Sequence, residues 1–261
     1  MFKICTLCSS SKGNCSFITD GKTNILIDCG IKIKSLEEFL SQNGYTLNDI
    51  NAILITHEHI DHIYGLKNLS KKVDTPIYAY CGVQPYITQR LGINLNYRDI
   101  NITEGFYIGD IFISPFTTSH DSVFPLGFTF CEGDKRASVA TDLGVVSEEI
   151  RDVLLMSDAA ILEANHDKKM LEQGRYSYRL KRRIAGSRGH LSNDDSGLLI
   201  SRLCEGQLSK VILAHLSEEN NLPELAYSTV EDCIKRNKAL TEKSITIEIA
   251  PCSCASKFLE V

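Results

Sequence analysis

The sequence predicts an α/β (α+β) protein in which stacked β-sheets are covered by helices, organised as one domain over residues 1–261. Three observations carry that expectation. Short runs of β-branched and aromatic residues recur along the whole chain. Amphipathic helical patterns thicken in its second half, and no internal repeat or low-complexity linker divides it. With 261 residues and 43% hydrophobic content, the chain is long enough to bury a full core.

The strands are expected, in order, at Phe2–Thr6, Ser16–Ile18, Asn24–Asp28, Ala52–Thr56, Pro76–Tyr80 and Ile111–Phe116. Further runs follow at Leu126–Phe130, Ala137–Thr141, Ala159–Leu162, Val211–Ala214 and Ser244–Ile249. Helices are expected at Ser35–Gln42, Gly82–Leu91, Ser147–Leu155, Ser192–Cys204 and Pro223–Asn237, where apolar residues return every three or four positions.

Bulk properties exclude several classes. Charge is ordinary, with 28 basic and 33 acidic residues, so the total does not advertise a polyanion partner. No apolar run approaches the ~18 residues of a membrane span. The N-terminal MFKICTLCSSSKGNCSFITD turns polar too soon for a signal peptide, so a cytoplasmic protein without a membrane partner is expected. Ten cysteines without an export signal read as reduced, packed thiols. Cys5-Thr6-Leu7-Cys8 and Cys252-Ser253-Cys254 could be assembled into a zinc site, but C-x-C is tighter than the usual zinc spacing.

Against this ordinary background, THEHIDHIYG (residues 56–65) places three of seven histidines and two carboxylates in ten residues, just after the apolar run Ala52–Ile55. In extended chain, positions i and i+2 project to one side, which lets His57 and His59 bind one cation together. Asp61 and His62 follow at the start of a helix and can reach a neighbouring position. Mixed imidazole and carboxylate donors suit zinc, manganese or iron better than calcium or magnesium. Four further strand ends stop on Asp28, His120, Asp142 and His215, so several strands are expected to converge on one metal cleft.

Asp28, then His57, His59, Asp61 and His62, then His120, Asp142 and His215 match, in order, the five motifs of the metallo-β-lactamase superfamily. The resemblance covers nearly the whole chain. It implies a four-layer αββα sandwich with a two-metal site at one edge. By that resemblance His57, His59 and His120 would hold one divalent ion, and Asp61, His62 and His215 the other. Asp142 would bridge them, and Asp28 would orient ligands from behind. The cofactors would be two divalent ions, zinc or manganese, with iron and nickel also compatible. Two such ions can share a hydroxide, and Asp61 would orient it and help move its proton. Glu58 projects to the opposite side of the extended segment and is given no role.

The superfamily's range of substrates leaves the scissile bond open. The absent export signal argues against a secreted β-lactamase. Only 46 residues follow His215, too few for the helical substrate domain of a glyoxalase II-like thioesterase. Asp142 and His215 lie 73 positions apart, too close for a β-CASP insertion. A compact nuclease or phosphodiesterase remains.

Between Lys168 and Arg188, eight basic residues face a single acid, Glu172, with Tyr176 and Tyr178 interleaved. That composition suits tracking of phosphates and stacking of bases, and it marks Arg182 and Arg183 as candidate substrate contacts. The segment leads into Gly189-His190-Leu191-Ser192-Asn193, expected to cap a helix on Ser192 or Asn193 and to hold a phosphate there. His190 is then a candidate acid for the leaving oxygen. His166 also falls outside the metal motifs and is grouped with the substrate contacts.

Ser9–Asn14, Glu163–Asp167 and Gly189–Asn193 resemble the YycJ/WalJ (VicX) branch of the superfamily. That resemblance implies a 5′→3′ DNA exonuclease, with DNA favoured over RNA, and a functional link to a cell-wall two-component system. Ser10 and Lys12 depart from the branch's usual glycine and serine. A hydrolase of small cyclic phosphodiesters, or a regulatory protein that keeps the fold without turnover, are the alternatives.

Overall fold

A computed structural model describes residues 2–237 and 244–261. The first sheet contains β1 (Lys3–Ser10), β2 (Gly13–Thr19), β3 (Asn24–Ile27), β4 (Ala52–Leu54), β5 (Ile77–Ala79) and β6 (Tyr97–Asp99). The second contains β7 (Phe106–Ile108), β8 (Ile111–Thr117), β9 (Leu126–Glu132), β10 (Lys135–Ala140), β11 (Ala159–Glu163), β12 (Lys210–Ala214) and β13 (Thr246–Ile249). A final strand, β14 (Leu259–Glu260), returns to pair with β1 in the first sheet. Strand order is β14-β1-β2-β3-β4-β5-β6 in one sheet and β13-β12-β11-β10-β9-β8-β7 in the other.

Both sheets change character half-way. β1, β2 and β3 pair antiparallel, whereas β3 through β6 run parallel. Likewise β7 through β10 are antiparallel and β10 through β13 parallel. The parallel halves therefore share one carboxyl edge, where an open sheet exposes its loops to ligands.

Strand alternation builds the layers. Ile25, Ile27 and Leu54 point inward to meet Ile113, Phe128, Phe130, Ile161 and Ile212 of the other sheet. The intervening Leu26 and Ile53 point outward, under Leu36 and Leu40 of α1 (Ile33–Gln42), Ile63 of α2 (Ile60–Ile63), Leu66 of α3 (Leu66–Leu69) and Ile87 of α4 (Gln84–Leu91). On the far side, Leu162 and Leu213 pack beneath α5 (Glu148–Leu155), α8 (Asn193–Leu203) and α9 (Pro223–Asn237). The result is the four-layer αββα sandwich, with a buried apolar layer at each of its three internal faces. Truncating a fully buried ring such as Phe128 would cost ~3–5 kcal/mol.

Three short strands escape the sequence pattern: β6, β7 and β14 have two or three residues each and lie at or near sheet edges. The basic stretch, where the sequence pattern predicts no helix, is helical. α6 (Lys168–Gln173) is capped by Asp167, which accepts from Met170 N, and α7 (Tyr178–Ile184) by Ser177, which accepts from Leu180 N. α7 buries none of its residues fully, and its one apolar pair at helical spacing, Leu180 and Ile184, is outnumbered by basic residues. The ten cysteines are free thiols. Cys8 Sγ donates to the Cys252 carbonyl at 2.7 Å, and burial, then the nearby Cys252 and Glu218, push its pKa to about 11. No helix among the described residues is long and apolar enough to cross a membrane.

Candidate metal centre and the basin beside it

The candidate ligands arrive on loops at the carboxyl ends of the parallel strands. β4 delivers His57 and His59, and α2 begins directly after His59, which turns Asp61 and His62 back toward the cleft. Among the described residues, Asp28, Asp142 and His215 are the non-glycine positions with positive φ, at 59°, 58° and 58°. A left-handed conformation is costly for residues with a side chain and collects at functional sites. Here it occurs once after each of β3, β10 and β12, at the residue the sequence singles out. Gly30 supports the same corner, since a Cβ there would lie 1.6 Å from the Asp61 carbonyl oxygen.

Two nitrogen-rich nests result. His57 Nε2 lies 3.0 Å from His59 Nδ1, and His120 Nε2 lies 3.4 Å from the same atom. A tetrahedral ion bound at ~2.0–2.1 Å from each nitrogen would space its ligands by about 3.3–3.4 Å, close to that geometry. Asp61 Oδ2 sits 3.5 Å from His62 Nε2 and 3.9 Å from His215 Nε2. Asp142 stands between the nests, with Oδ2 3.4 Å from His62 Nε2 and Oδ1 3.5 Å from His120 Nε2. Asp142 Oδ2 and His215 Nε2 are buried and lack a hydrogen-bond partner among the described residues. Two orphaned donor atoms aimed at one another's neighbourhood are what a divalent cation would satisfy, so this set suits divalent metal binding.

For His57, His62, His120 and His215 the nitrogen facing away from the nests is engaged. His57 Nδ1 contacts Thr56 Oγ1 at 3.0 Å, and His62 Nδ1 meets Asp28 Oδ2 at 2.7 Å. His120 Nδ1 meets the Gly189 carbonyl at 3.2 Å, and His215 Nδ1 meets Glu163 Oε1 at 2.8 Å. Such outer partners fix tautomer and ring orientation. Asp28 is itself held by the Thr56 backbone N–H and hydroxyl, at 2.9 and 2.8 Å. Asn14 donates to Asp61 Oδ2 at 3.1 Å, and Arg188 donates to the His120 carbonyl at 3.0 and 3.1 Å. Glu58 turns away and accepts from Val123 N at 3.1 Å.

Electrostatics divide the candidate ligands. Burial, then the neighbouring imidazoles, push His57 well below the ordinary histidine range. His62 is also buried, but Asp28, Asp61 and Asp142 outweigh that effect and raise it to about 9. For His215 burial is likewise outweighed, by Asp142, Asp61 and Glu163, which hold it well above the usual value. Asp61 would be raised by burial, yet His62 and His215 hold it below the usual carboxylate range.

Glu163, at the end of β11, is the residue that sequence reasoning missed. It is fully buried and reaches both His190 Nδ1 and His215 Nδ1 at 2.8 Å through Oε1. Its Oε2 accepts from the backbone of Leu143 and Leu191. The signal was present: it is a carboxylate that directly ends the apolar run Ala159–Leu162, at a strand end like Asp28 and Asp142.

A basin of about 580 Å³ opens beside these nests. His190 belongs to both, since its Nδ1 lies 3.7 Å from Asp142 Oδ1 and its ring lines the basin with His166, Tyr178, Lys181 and Arg182. His166 is 2% exposed, its Nδ1 has no partner among the described residues, and burial lowers its pKa to about 4. Arg183 does not line the basin, because its guanidinium pairs with Asp121. Ser192 caps α8 as expected, but neither Ser192 nor Asn193 is free to meet a phosphate. Ser192 is buried and committed to Asp195, whose N–H and carboxylate it bonds at 3.1 and 2.6 Å. Asn193 is buried against Asn221 at 2.8 Å, and Asp194 and Asp195 make that helix start acidic, which is unfavourable for phosphate.

Residues 23–215 match the family model described as a β-lactamase superfamily domain. The chain belongs to the metallo-β-lactamase superfamily. It is an enzyme of that hydrolase superfamily. It is 34% identical over 231 residues to the exodeoxyribonuclease YycJ of Bacillus anthracis, covering 88% of each chain. It is 36% identical over 235 residues to the exodeoxyribonuclease WalJ of Streptococcus pneumoniae strain D39, covering 88% of this chain and 87% of that one. Among solved structures, zinc-bound PqqB of Methylobacterium extorquens shares the fold, with a TM-score of 0.74 at 14% identity over 99% of this chain and all of that one.

Proposed function

We propose that this metallo-β-lactamase superfamily enzyme is a cytoplasmic phosphodiesterase that degrades DNA from the 5′ end with two divalent ions, zinc or manganese being the best suited. The observation that carries the reading is Asp142 standing between two nests of ligand atoms, with a basin that carries Lys181 and Arg182 opening beside His190. The YycJ and WalJ relatives, named exodeoxyribonucleases, support the choice of DNA.

His57, His59 and His120 would hold one ion and Asp61, His62 and His215 the other, with Asp142 shared. Ions held there would neutralise phosphoryl charge and lower the pKa of water toward neutrality. Asp61, an ionised carboxylate steadied by Asn14, orients the attacking water and accepts its proton. His190, anchored to Glu163, faces the basin and is placed to give a proton to the leaving oxygen. Arg182 and His166, both lining the basin, position the strand.

The reading is tested by incubating 5′-labelled duplex DNA, single-stranded DNA and RNA with the manganese- or zinc-loaded protein, beside Asp61→Ala and His59→Ala. Progressive loss of 5′ nucleotides from DNA by the wild type is expected, with a ~10²–10⁴-fold lower rate for Asp61→Ala. Inertness of the wild type toward all three, together with cleavage of a small cyclic phosphodiester, would overturn it.

A further inference from the structure

We propose that the basin is a subsite for a single nucleotide bearing a terminal 5′-phosphate, so that the enzyme prefers phosphorylated 5′ ends and releases nucleoside 5′-monophosphates one at a time. This rests on the exonuclease reading and adds the form of the substrate's end and the size of the step.

Size and position come first. About 580 Å³ falls within the ~300–1,000 Å³ of sites that enclose one small molecule, and suits one nucleotide better than a tract of strand. The basin shares His190 with the candidate metal centre, so a phosphodiester held at the metals has its neighbouring nucleotide inside the basin.

The lining sorts by chemistry. Leu171 and the ring of Tyr178 offer an apolar wall, and Tyr178 is 76% exposed, as a stacking platform must be. Lys181 and Arg182 supply positive charge, beside two acids in the lining, Glu172 and Asp195, of which Asp195 is neutralised by Lys168. Neither cation pairs with a carboxylate among the described residues: Lys181 Nζ donates to the Glu172 carbonyl at 2.6 Å, and Arg182 lies 5.9 Å from the Tyr178 ring centroid. Their neighbours are committed elsewhere, Lys168 to Asp195 and Arg183 to Asp121. Two unpaired cations together match a terminal phosphate, which carries about −1.5 to −2, better than a singly charged internal phosphodiester. His166 adds a second, independent sign of a ligand, because it is 98% enclosed, lines the same basin and has a ring nitrogen without a partner.

The chemistry closes on itself. Water adds to the phosphorus between the first and second nucleotides, and its proton passes to Asp61. The bond from phosphorus to the 3′ oxygen of the first nucleotide breaks, and that oxygen takes a proton from His190, which faces the basin holding it. The products are a nucleoside 5′-monophosphate and a strand whose new end carries a 5′-phosphate. Each turnover thus regenerates the group that Lys181 and Arg182 recognise.

The test uses the metal-loaded full chain. Rates are compared on one duplex sequence with either a 5′-phosphate or a 5′-hydroxyl, first products are sized, and binding of dTMP and of thymidine is measured by calorimetry. The wild type is expected to favour the phosphorylated end by at least ~10-fold, to release mononucleotides first, and to bind dTMP but not thymidine. Lys181→Ala/Arg182→Ala should bring the two ends to near parity and weaken dTMP binding by at least ~10-fold. Tyr178→Ala, exposed and structurally undemanding, should weaken dTMP binding while keeping the preference for a phosphorylated end. Equal rates on both ends in the wild type, first products of two or more nucleotides, or dTMP binding unchanged in both variants would overturn the subsite. If no DNA is cut yet dTMP binding depends on Lys181 and Arg182, the exonuclease reading falls and the nucleotide subsite stands.

Discussion

At the floor of the cleft, His57, His62, Asp142 and His215 are at most 3% exposed, and each of these histidines has its outward nitrogen held by another group. The wall beside it is α7, which buries none of its residues fully and leaves Tyr178 76% exposed. Floor residues sit on strand ends braced by buried carboxylates, whereas wall residues sit on a short helix capped by Ser177 alone. The difference separates two tasks. Donor atoms must be held to a few tenths of an ångström to bind a cation, which demands packing and buried partners. Long basic side chains that meet phosphate need charge and reach, and they work from a solvated surface.

That contrast can be broken from either side. The largest expected effect lies in the brace beneath the floor. Glu163→Gln keeps the shape but removes the charge behind His190 and His215, and should lower metal affinity or activity by ~10–100-fold. Metal titration by calorimetry and initial rates check it, and a variant within two-fold of wild type would make Glu163 a packing residue.

A smaller effect concerns pH in the metal-free protein. His62 is raised to about 9, so its stabilisation of the fold is fully present below the unfolded value of ~6.5 and is lost as pH rises through about 9. His215 shifts the same way, while His57, held low, is neutral in the folded state throughout and adds only a small opposing gain as the unfolded imidazole loses its proton at ~6.5. The Tm measured in chelator should therefore fall between pH 6.5 and 9, by ~2–4 °C per kcal/mol lost. Added metal should flatten the curve, since bound imidazoles carry no proton to lose. A metal-free Tm that rises across this range would contradict the assignment of His62 and His215 as charged.

The smallest effect belongs to the wall. Arg182→Ala should leave metal content unchanged and reduce the salt dependence of DNA binding by ~0.7–0.9 in log–log slope, the share of one phosphate contact. An unchanged slope would return Arg182 to a solvated surface role.

Some of this was legible before folding and some was not. H-x-H-x-D-H betrays itself because local spacing alone sets two histidines on one side of an extended segment. Asp28, Asp142 and His215 show as polar residues that end apolar runs. Glu163 ends the run Ala159–Leu162 in the same way, but its role comes only from meeting His190 and His215, which lie 27 and 52 positions away. Arg182 and Arg183 look equivalent in the sequence, and only the position of Asp121, 62 positions from Arg183, tells them apart. Ser192 looked like a phosphate cap until burial and the neighbouring Asp195 showed it already occupied.

The sequence by itself determined the family of the chain, the order of most strands and helices, and the residues that converge on the cleft. Those properties rest on period-two and period-3.6 patterning and on spacing within a few residues, all of which are local. Tertiary structure alone decided which outward nitrogen meets which partner, which arginine stays free, and where the basin opens. Each of those depends on atoms brought together from distant positions, and long-range packing leaves no local trace in the order of residues.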